Sequence, residues 1–159
     1  MEKVLEHLTA LEVEFSLTTH APLMTMEEAL PIWEELGGAF CKNLFFRNNK
    51  GNQHYLVILT HEKLLDVKRL EKELKQGRLS FASAERMAKH LGLSPGSVSP
   101  FGLIHDETQH VIVFLDQDLK QFEKVNFHPN DNTATLTLSY TDFIRFLEER
   151  GNVYSFIEM

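Results

Sequence analysis

Hydrophobic and polar positions along this chain repeat with two periods, one typical of α-helices and one typical of β-strands. Apolar residues at helical spacing predict helices over residues 2–11, 26–36, 66–76, 83–91 and 139–150. Alternating or continuous apolar runs predict strands over residues 14–18, 39–48, 54–60, 78–81, 110–116, 124–127 and 133–138. Because strands outnumber strict strand–helix–strand units and hairpin turns are frequent, the pattern predicts an α+β fold with a mixed, mostly antiparallel sheet surrounded by helices.

Length and composition predict one globular domain over residues 1–159, because the chain can build a substantial core and shows no linker or repeat. No apolar run approaches the ~20 residues that span a bilayer, and the first residues lack a secretory signal pattern. We therefore expect a cytoplasmic protein without membrane contact. With a single cysteine, Cys41, and eight histidines that lack metal-binding spacing, the sequence predicts no disulfide, no metal site and no cofactor.

The net charge of −7 argues against bulk binding of nucleic acid, and DNA is not an expected partner. The charge is unevenly distributed, because residues 61–90 hold eight basic and five acidic side chains while the remainder is strongly acidic. This positive segment allows a local contact with a phosphate backbone. A solvated helix with alternating charge pairs explains it equally well.

Three local features are candidates for chemistry. Lys42 alternates with apolar side chains on one strand face, so its ammonium either binds a phosphate or a developing oxyanion or extends to solvent. Its neighbour Asn43 points to the opposite face, where the pattern alone favours a structural role.

Residues 92–102 hold three glycines, two prolines and three serines, which predicts a stiff loop with exposed amides or an ordinary surface loop. His128 lies in a turn rich in Pro and Asn, where a histidine is usually only exposed.

Three sequence blocks together resemble the YbaK/ProX family of free-standing tRNA-editing domains, which are related to the insertion domain of bacterial prolyl-tRNA synthetase. The blocks are Phe40–Phe45, Gly92–Gly102 and Phe127–Thr135, and the likeness extends over nearly the whole chain. Within the family the chain is most similar to the ProXp-ala branch, the prolyl-tRNA deacylases that hydrolyse mischarged alanyl-tRNA(Pro). The resemblance implies a compact, curved mixed sheet surrounded by helices.

The resemblance also implies a set of site residues. Lys42 matches the essential lysine of the family, thought to engage the terminal adenosine or its phosphate, and Gly96 and Pro100 match a loop that holds the aminoacyl group and the attacking water. The residues expected in catalysis are Lys42, Gly96 and His128. Those expected to bind substrate are Asn43, Ser97, Val98, Ser99, Pro100, Asn130 and Thr133.

The implied reaction is attack of water on the ester that joins alanine to the terminal ribose. Neither a metal nor a protein nucleophile is evident, so catalysis would rest on positioning and backbone electrostatics, with help from the neighbouring ribose hydroxyl. The expected partner is the acceptor end of an aminoacylated tRNA, presented by prolyl-tRNA synthetase or an elongation factor. Hydrolysis of Cys-tRNA(Pro) or another small aminoacyl ester, and a non-catalytic tRNA- or synthetase-binding module, remain alternatives.

The sequence also leaves open whether one helix moves. Residues 26–36 contain Pro31 and lie between Pro22 and the pair Gly37-Gly38. Such a segment is either a mobile flap beside the pocket or a helix that these residues simply interrupt.

Overall fold

The helices and strands of the structure follow the periodicity of the sequence. The computed structural model describes residues 1–158, the side chain of Met26 excepted. The helices are α1 (Glu2–Ala10), α2 (Met26–Leu36), α3 (Val67–Leu74), α4 (Ala84–Leu91) and α5 (Tyr140–Arg150). The strands are β1 (Phe15–Thr19), β2 (Ala39–Arg47), β3 (His54–Thr60), β4 (Ser80–Phe81), β5 (Ile112–Asp116), β6 (Lys124–Phe127), β7 (Ala134–Ser139) and β8 (Tyr154–Ile157).

Within residues 1–158 these strands form an eight-stranded sheet in the order β1-β7-β6-β2-β3-β5-β8, with β4 paired to β2. The neighbours β1–β7, β2–β3, β2–β4 and β6–β7 are antiparallel. The neighbours β2–β6, β3–β5 and β5–β8 are parallel. The predicted α+β fold with a mixed, mostly antiparallel sheet is confirmed. No helix within the described residues is long and apolar enough to cross a membrane.

Strand β3 is the centre of the core, because every residue from His54 to Thr60 is buried. Successive side chains of a strand point to opposite faces, so β3 contributes to two apolar clusters. Leu56 and Ile58 belong to the larger cluster, and Val57 and Leu59 belong to the smaller one. The continuous apolar run in the sequence is therefore a strand covered on both faces.

Short polar side chains fix where the helices begin, as the sequence predicts. Thr25 Oγ1 accepts a hydrogen bond from Glu28 N at 3.2 Å, and Ser83 and Ser139 cap α4 and α5 in the same way. Pro31 lies inside α2 without ending it, and the helix continues to Leu36.

The segment 92–102 is less exposed than expected. Ser99 is fully buried, and its Oγ accepts a hydrogen bond from Phe101 N at 3.1 Å, which starts a 3₁₀ helix over Pro100–His105. Gly102 packs so closely that a Cβ there would lie 2.9 Å from Leu91 Cβ. Only the first part of the segment is an exposed loop, because its end packs against the core.

Strand β8 was not predicted. It lies beyond the glycine that ends α5 and joins the sheet through a parallel pairing with β5. A four-residue strand whose partner lies about forty residues away leaves little local signal.

Candidate functional site

The main candidate site is a cleft that opens where strands β2 and β6 separate. The two strands pair only at Ala39↔Val125 and Phe40↔Asn126, after which β2 continues along β3 alone. The space between them has a volume of about 300 Å³. Its lining residues are Leu23, Met24, Thr25, Ala29, Trp33, Phe40, Cys41, Asn43, Asn126, Phe127, His128 and Thr135.

Asn126 holds the closed end of this cleft together. Its Nδ2 donates hydrogen bonds to the carbonyls of Gly37 at 2.8 Å and Ala39 at 3.1 Å, and its Oδ1 accepts one from Thr137 Oγ1 at 2.6 Å. The buried amide thus joins the start of β2 to β6 and β7. Asn126 was not among the predicted site residues, although an asparagine between Val125 and Phe127 in an apolar strand indicates a buried hydrogen-bonding side chain.

The edge of β2 presents backbone groups to the cleft. His61 N donates to Phe40 O at 2.8 Å, so the peptide groups of Phe40 and its alternate neighbours face β3. The peptide groups of Cys41 and Asn43 therefore face the opposite edge, where β6 has turned away. The same alternation places Phe45 O on that edge, where it accepts from Ala82 N at 2.9 Å.

Asn43 places a buried acceptor on this cleft. Its Oδ1 has no hydrogen-bond partner within the described residues. An unpaired buried acceptor costs about 1–3 kcal/mol, unless a ligand or water satisfies it. The sequence pattern alone favoured a structural role for Asn43, but the structure places its buried amide oxygen on the cleft with no hydrogen-bond partner among the described residues.

His128 forms another wall of the cleft, and a hydrogen bond fixes the tautomer of its imidazole. Its Nδ1 lies 3.1 Å from the carbonyl oxygen of Ala134, so Nδ1 carries the proton and Nε2 is left as an acceptor. Burial lowers the pKa of His128 below its ordinary value of 6.5, and the Ala134 carbonyl offsets part of this shift. The imidazole is therefore neutral at pH 7 and can accept a proton or a hydrogen bond.

His20 supports the same wall from the edge of the sheet. Its ring centroid lies 6.5 Å from that of His128, and its Nε2 lies 2.8 Å from Oγ1 of Thr135, a buried residue that lines the cleft. Its Nδ1 lies 2.8 Å from the Ala21 carbonyl, which assigns the proton to Nδ1. Nε2 then accepts a hydrogen bond from Thr135 and orients this hydroxyl.

Cys41 is a wall of the cleft rather than a nucleophile. Burial raises the pKa of its thiol far above its ordinary value, and the negative charge of Asp116 raises it further. Because the thiolate is the reactive form, this cysteine remains an unreactive, small side chain at pH 7.

Lys42 lies on the other face of β2. It pairs with Leu59 and shares its face with Leu44 and Phe46, which pack in or against the smaller apolar cluster. Lys42 is half-buried, and within residues 1–158 no ion pair joins it to an acidic side chain. The predicted apolar environment is confirmed, but Lys42 is not among the residues that line the cleft.

The loop residues expected at the site do not line the cleft either. Gly96 is exposed, and a Cβ added to it would meet no heavy atom of residues 1–158 within 4 Å. Ser97 N donates to Ser94 O at 3.1 Å, and Val98 packs against the larger cluster. Ser99 and Pro100 begin the 3₁₀ helix, so their structural role is clear while their part in binding stays a prediction.

Asn130 and Thr133 belong to the turn that follows His128. Asn130 adopts a left-handed conformation with φ of 62°, and its buried Oδ1 has no hydrogen-bond partner within residues 1–158. Thr133 is exposed and donates from Oγ1 to Asp131 Oδ1 at 2.6 Å. The turn thus contains a second buried amide oxygen, that of Asn130, two positions after His128 in the sequence.

These groups can hold a small polar substrate. An amide oxygen, a neutral imidazole and open peptide groups bind hydroxyl, amino or water groups, while Phe127 and Cys41 provide an apolar wall. Together they define an α+β domain with a cleft that carries polar binding groups where the central strands β2 and β6 separate.

Comparisons with known proteins identify the family. The model of the aminoacyl-tRNA editing domain matches residues 20–146, so the chain belongs to this family. The chain is 40% identical over 158 residues to the prolyl-tRNA editing protein ProX of Acetoanaerobium sticklandii, covering 99% of this chain and 96% of that protein. It is 33% identical over 150 residues to the prolyl-tRNA synthetase associated domain-containing protein 1 of Bos taurus, covering 92% and 88%.

Solved structures agree with this assignment. The crystal structure of hypothetical protein APE2540 superposes with a TM-score of 0.72 at 25% identity over 96% of each chain. That of a protein proposed to be a trans-editing enzyme for prolyl-tRNA synthetase gives 0.71 at 19% identity, covering 100% of this chain and 98% of the other. The family resemblance of the sequence blocks is confirmed.

Proposed function

We propose that this protein is a trans-editing deacylase that hydrolyses the ester of mischarged Ala-tRNA(Pro) without a metal. The observation that carries the proposal is the cleft at the edge of β2, where Asn43 Oδ1 has no partner among the described residues and His128 Nε2 is an acceptor. Membership of the editing-domain family and the similarity to ProX support this reaction class.

The aminoacyl ester lies in the cleft with its carbonyl near the peptide groups of β2. His128 Nε2 accepts a hydrogen bond from the attacking water or from the ribose hydroxyl next to the ester. Asn43 Oδ1 accepts one from the α-amino group, which satisfies its buried oxygen. The small apolar wall at Cys41 receives the methyl side chain of alanine, and selection against the prolyl ring is steric.

The terminal nucleoside binds at the mouth of the cleft. Trp33 lines the cleft and stacks on Phe40 with ring centroids 4.8 Å apart. The ring centroid of His61 lies 4.6 Å from that of Trp33, and the three aromatic groups line an adjoining cavity. Aromatic groups of this kind stack on a base without requiring its identity. Lys42 follows Phe40 on the same face of β2, where its ammonium binds the terminal phosphate.

The rest of the tRNA contributes little affinity. The chain is acidic overall, and its positive segment over residues 61–90 offers few phosphate contacts. Binding is therefore weak with a shallow salt dependence. Prolyl-tRNA synthetase or an elongation factor then presents the substrate.

The test is to incubate purified protein with alanyl-, cysteinyl- and prolyl-tRNA(Pro), with and without EDTA, and follow loss of the labelled amino acid. We expect loss of alanine, slower loss of cysteine, no loss of proline, and no effect of EDTA. Faster loss of cysteine would mean that Cys-tRNA(Pro), and not Ala-tRNA(Pro), is the preferred substrate. Absence of any deacylation would favour a non-catalytic module that binds tRNA or a synthetase.

A further inference from the structure

Three histidines converge at the end of β3 remote from the cleft. His54 begins β3, His90 lies in α4 and His110 precedes β5, and ligand nitrogens from all three lie within 4.8 Å of one another. The ring centroids are 4.1 Å apart for His54–His90, 4.6 Å for His90–His110 and 5.1 Å for His54–His110. Their separation in sequence explains why spacing motifs did not reveal them.

The cluster is distinct from the candidate active site. Asn43 of the cleft pairs with Ile58, whereas His54 pairs with Arg47 at the far end of the same strand pair. Ile58 lies four positions after His54 along the strand, which corresponds to about 13 Å. A ligand at the histidines therefore leaves the cleft unoccupied.

We propose that His54, His90 and His110 form a binding site for a divalent transition metal such as Zn²⁺, with water in the remaining position. Imidazole is a preferred ligand of Zn²⁺, and nitrogens of a tetrahedral site are about 3.3 Å apart. His54 Nδ1 and His110 Nε2 are 2.9 Å apart, and the ligand nitrogens of all three histidines lie within 4.8 Å of one another, so the half-buried His90 must rotate toward the other two to complete the set.

A solvent-connected cavity gives the metal a route of entry. The cavity beside the cluster has a volume of about 510 Å³ and is lined by all three histidines. It leaves room for the water ligand, which a site with three protein ligands requires. The metal would join β3, α4 and the segment before β5, and so would stabilise the fold.

Arg86 competes with the metal. Its Nη1 lies 3.2 Å from His54 Nε2 and donates to Gly51 O at 2.8 Å. While Arg86 donates to Nε2, the proton of His54 resides on Nδ1 and is shared with His110. Metal binding at Nδ1 moves this proton to Nε2, so Arg86 must release the ring and no proton is lost overall.

The neighbouring charges set a moderate affinity. Arg86 and Lys89 repel a dication, while Glu85 lines the same cavity and attracts it. Asp106 accepts a hydrogen bond from His110 N and is buried among its partners, so it holds the backbone of His110 in place. The structure thus predicts a site that binds metal measurably but less tightly than a closed structural zinc site.

The test titrates EDTA-treated, desalted protein with ZnCl₂ by calorimetry and records the melting temperature with and without the metal. We expect one Zn²⁺ per chain, a higher melting temperature with Zn²⁺, and at least tenfold weaker binding in His90→Gln and in His110→Gln. His7→Gln is the matched control, because His7 lies on α1 and pairs with Glu149. These two cluster variants are preferred to a His54 variant, because His54 is buried.

Arg86→Met tests the competition separately and should bind Zn²⁺ several times more tightly than the wild type. Absence of saturable binding to the wild type, or equal binding by His90→Gln, His110→Gln and the control, would overturn the site. Unchanged affinity in Arg86→Met would overturn the competition. Because these measurements involve no tRNA, they remain decisive even if deacylation is not found.

Discussion

The cleft and the histidine cluster lie at opposite ends of β3 and satisfy their polar groups in opposite ways. In the cleft the strands diverge, and Asn43 Oδ1 has no partner within the described residues. At the cluster β2 and β3 stay paired as far as Arg47↔His54, and the imidazoles of His54 and His110 are hydrogen-bonded to each other. A ligand gains hydrogen bonds in the cleft without breaking any, whereas at the cluster it must displace an existing contact.

The largest expected effect concerns Lys42. Lys42→Ala should leave the fold intact and lower deacylation by about 10²-fold, since the loss of the charge that holds the terminal phosphate misplaces the ester in the cleft. Lys68→Ala, an exposed lysine of α3, is the matched control and should change the rate less than twofold. Single-turnover rates with Ala-tRNA(Pro) measure both. Full activity in Lys42→Ala would show that the site is confined to the cleft.

A pair of adjacent glycines tests how the cleft is opened. Both adopt positive φ, 68° at Gly37 and 79° at Gly38, but only at Gly38 would a Cβ meet backbone, 2.8 Å from Lys124 O. With φ of 68° and ψ of −175°, Gly37 lies in a region that only glycine adopts readily, so Gly37→Ala should cost about 1–3 kcal/mol of unfolding free energy. Gly38→Ala should cost more, because the contact of a Cβ with Lys124 O adds to the backbone strain. Urea unfolding measures the difference. Equal costs would mean that the contact between the start of β2 and β6 adjusts freely.

A substitution of Asn43 should affect activity and stability in different directions. Asn43→Ala removes an unpaired buried oxygen, so the unfolding free energy should stay level or rise by up to about 1 kcal/mol while deacylation falls about tenfold. Asn48→Ala is the contrasting variant, because Asn48 is buried and its Oδ1 accepts from Asn52 N at 3.0 Å. This second change should lower stability and leave the rate per folded molecule unchanged. Parallel loss of stability and activity in Asn43→Ala would assign Asn43 a structural role.

Local patterns predicted the elements well but not how the strands meet. Alternation placed Lys42 on an apolar face, and capping residues such as Thr25 and Ser83 marked the helix starts. The cleft instead depends on the parallel contact of β2 with β6, a pairing of residues more than eighty positions apart. Such long-range contacts leave no period in the sequence, and the same holds for the convergence of the three histidines.

Residue roles were harder to predict than elements. The segment 92–102 was expected to expose its amides, but Ser99 uses its hydroxyl to cap a buried 3₁₀ helix. Asn126, which closes the cleft, was not predicted, although a polar residue between two apolar ones in a strand is typical of a buried hydrogen-bonding side chain. The roles of Gly96, Pro100 and Lys42 in the reaction remain predictions based on the family motifs.

The smallest expected effect is the pH dependence due to His128. Burial holds the pKa of its imidazole below 6.5 in the folded protein, while the unfolded chain has the ordinary value. The neutral acceptor is then fully present above pH 6.5, so kcat/KM should be level there and fall only at lower pH.

The contribution of His128 to the stability of the fold depends on pH in the same direction as its contribution to activity. Between the folded pKa and 6.5 the unfolded chain binds more protons, so the contribution of His128 is complete above pH 6.5 and is lost as pH falls toward the folded value. His128→Gln should remove this inflection from both profiles, which separates it from other titrating groups. A rate that rises on acidification through pH 6.5 would mean that the imidazolium is the active form, and the cleft would then rely on charge rather than on an open acceptor.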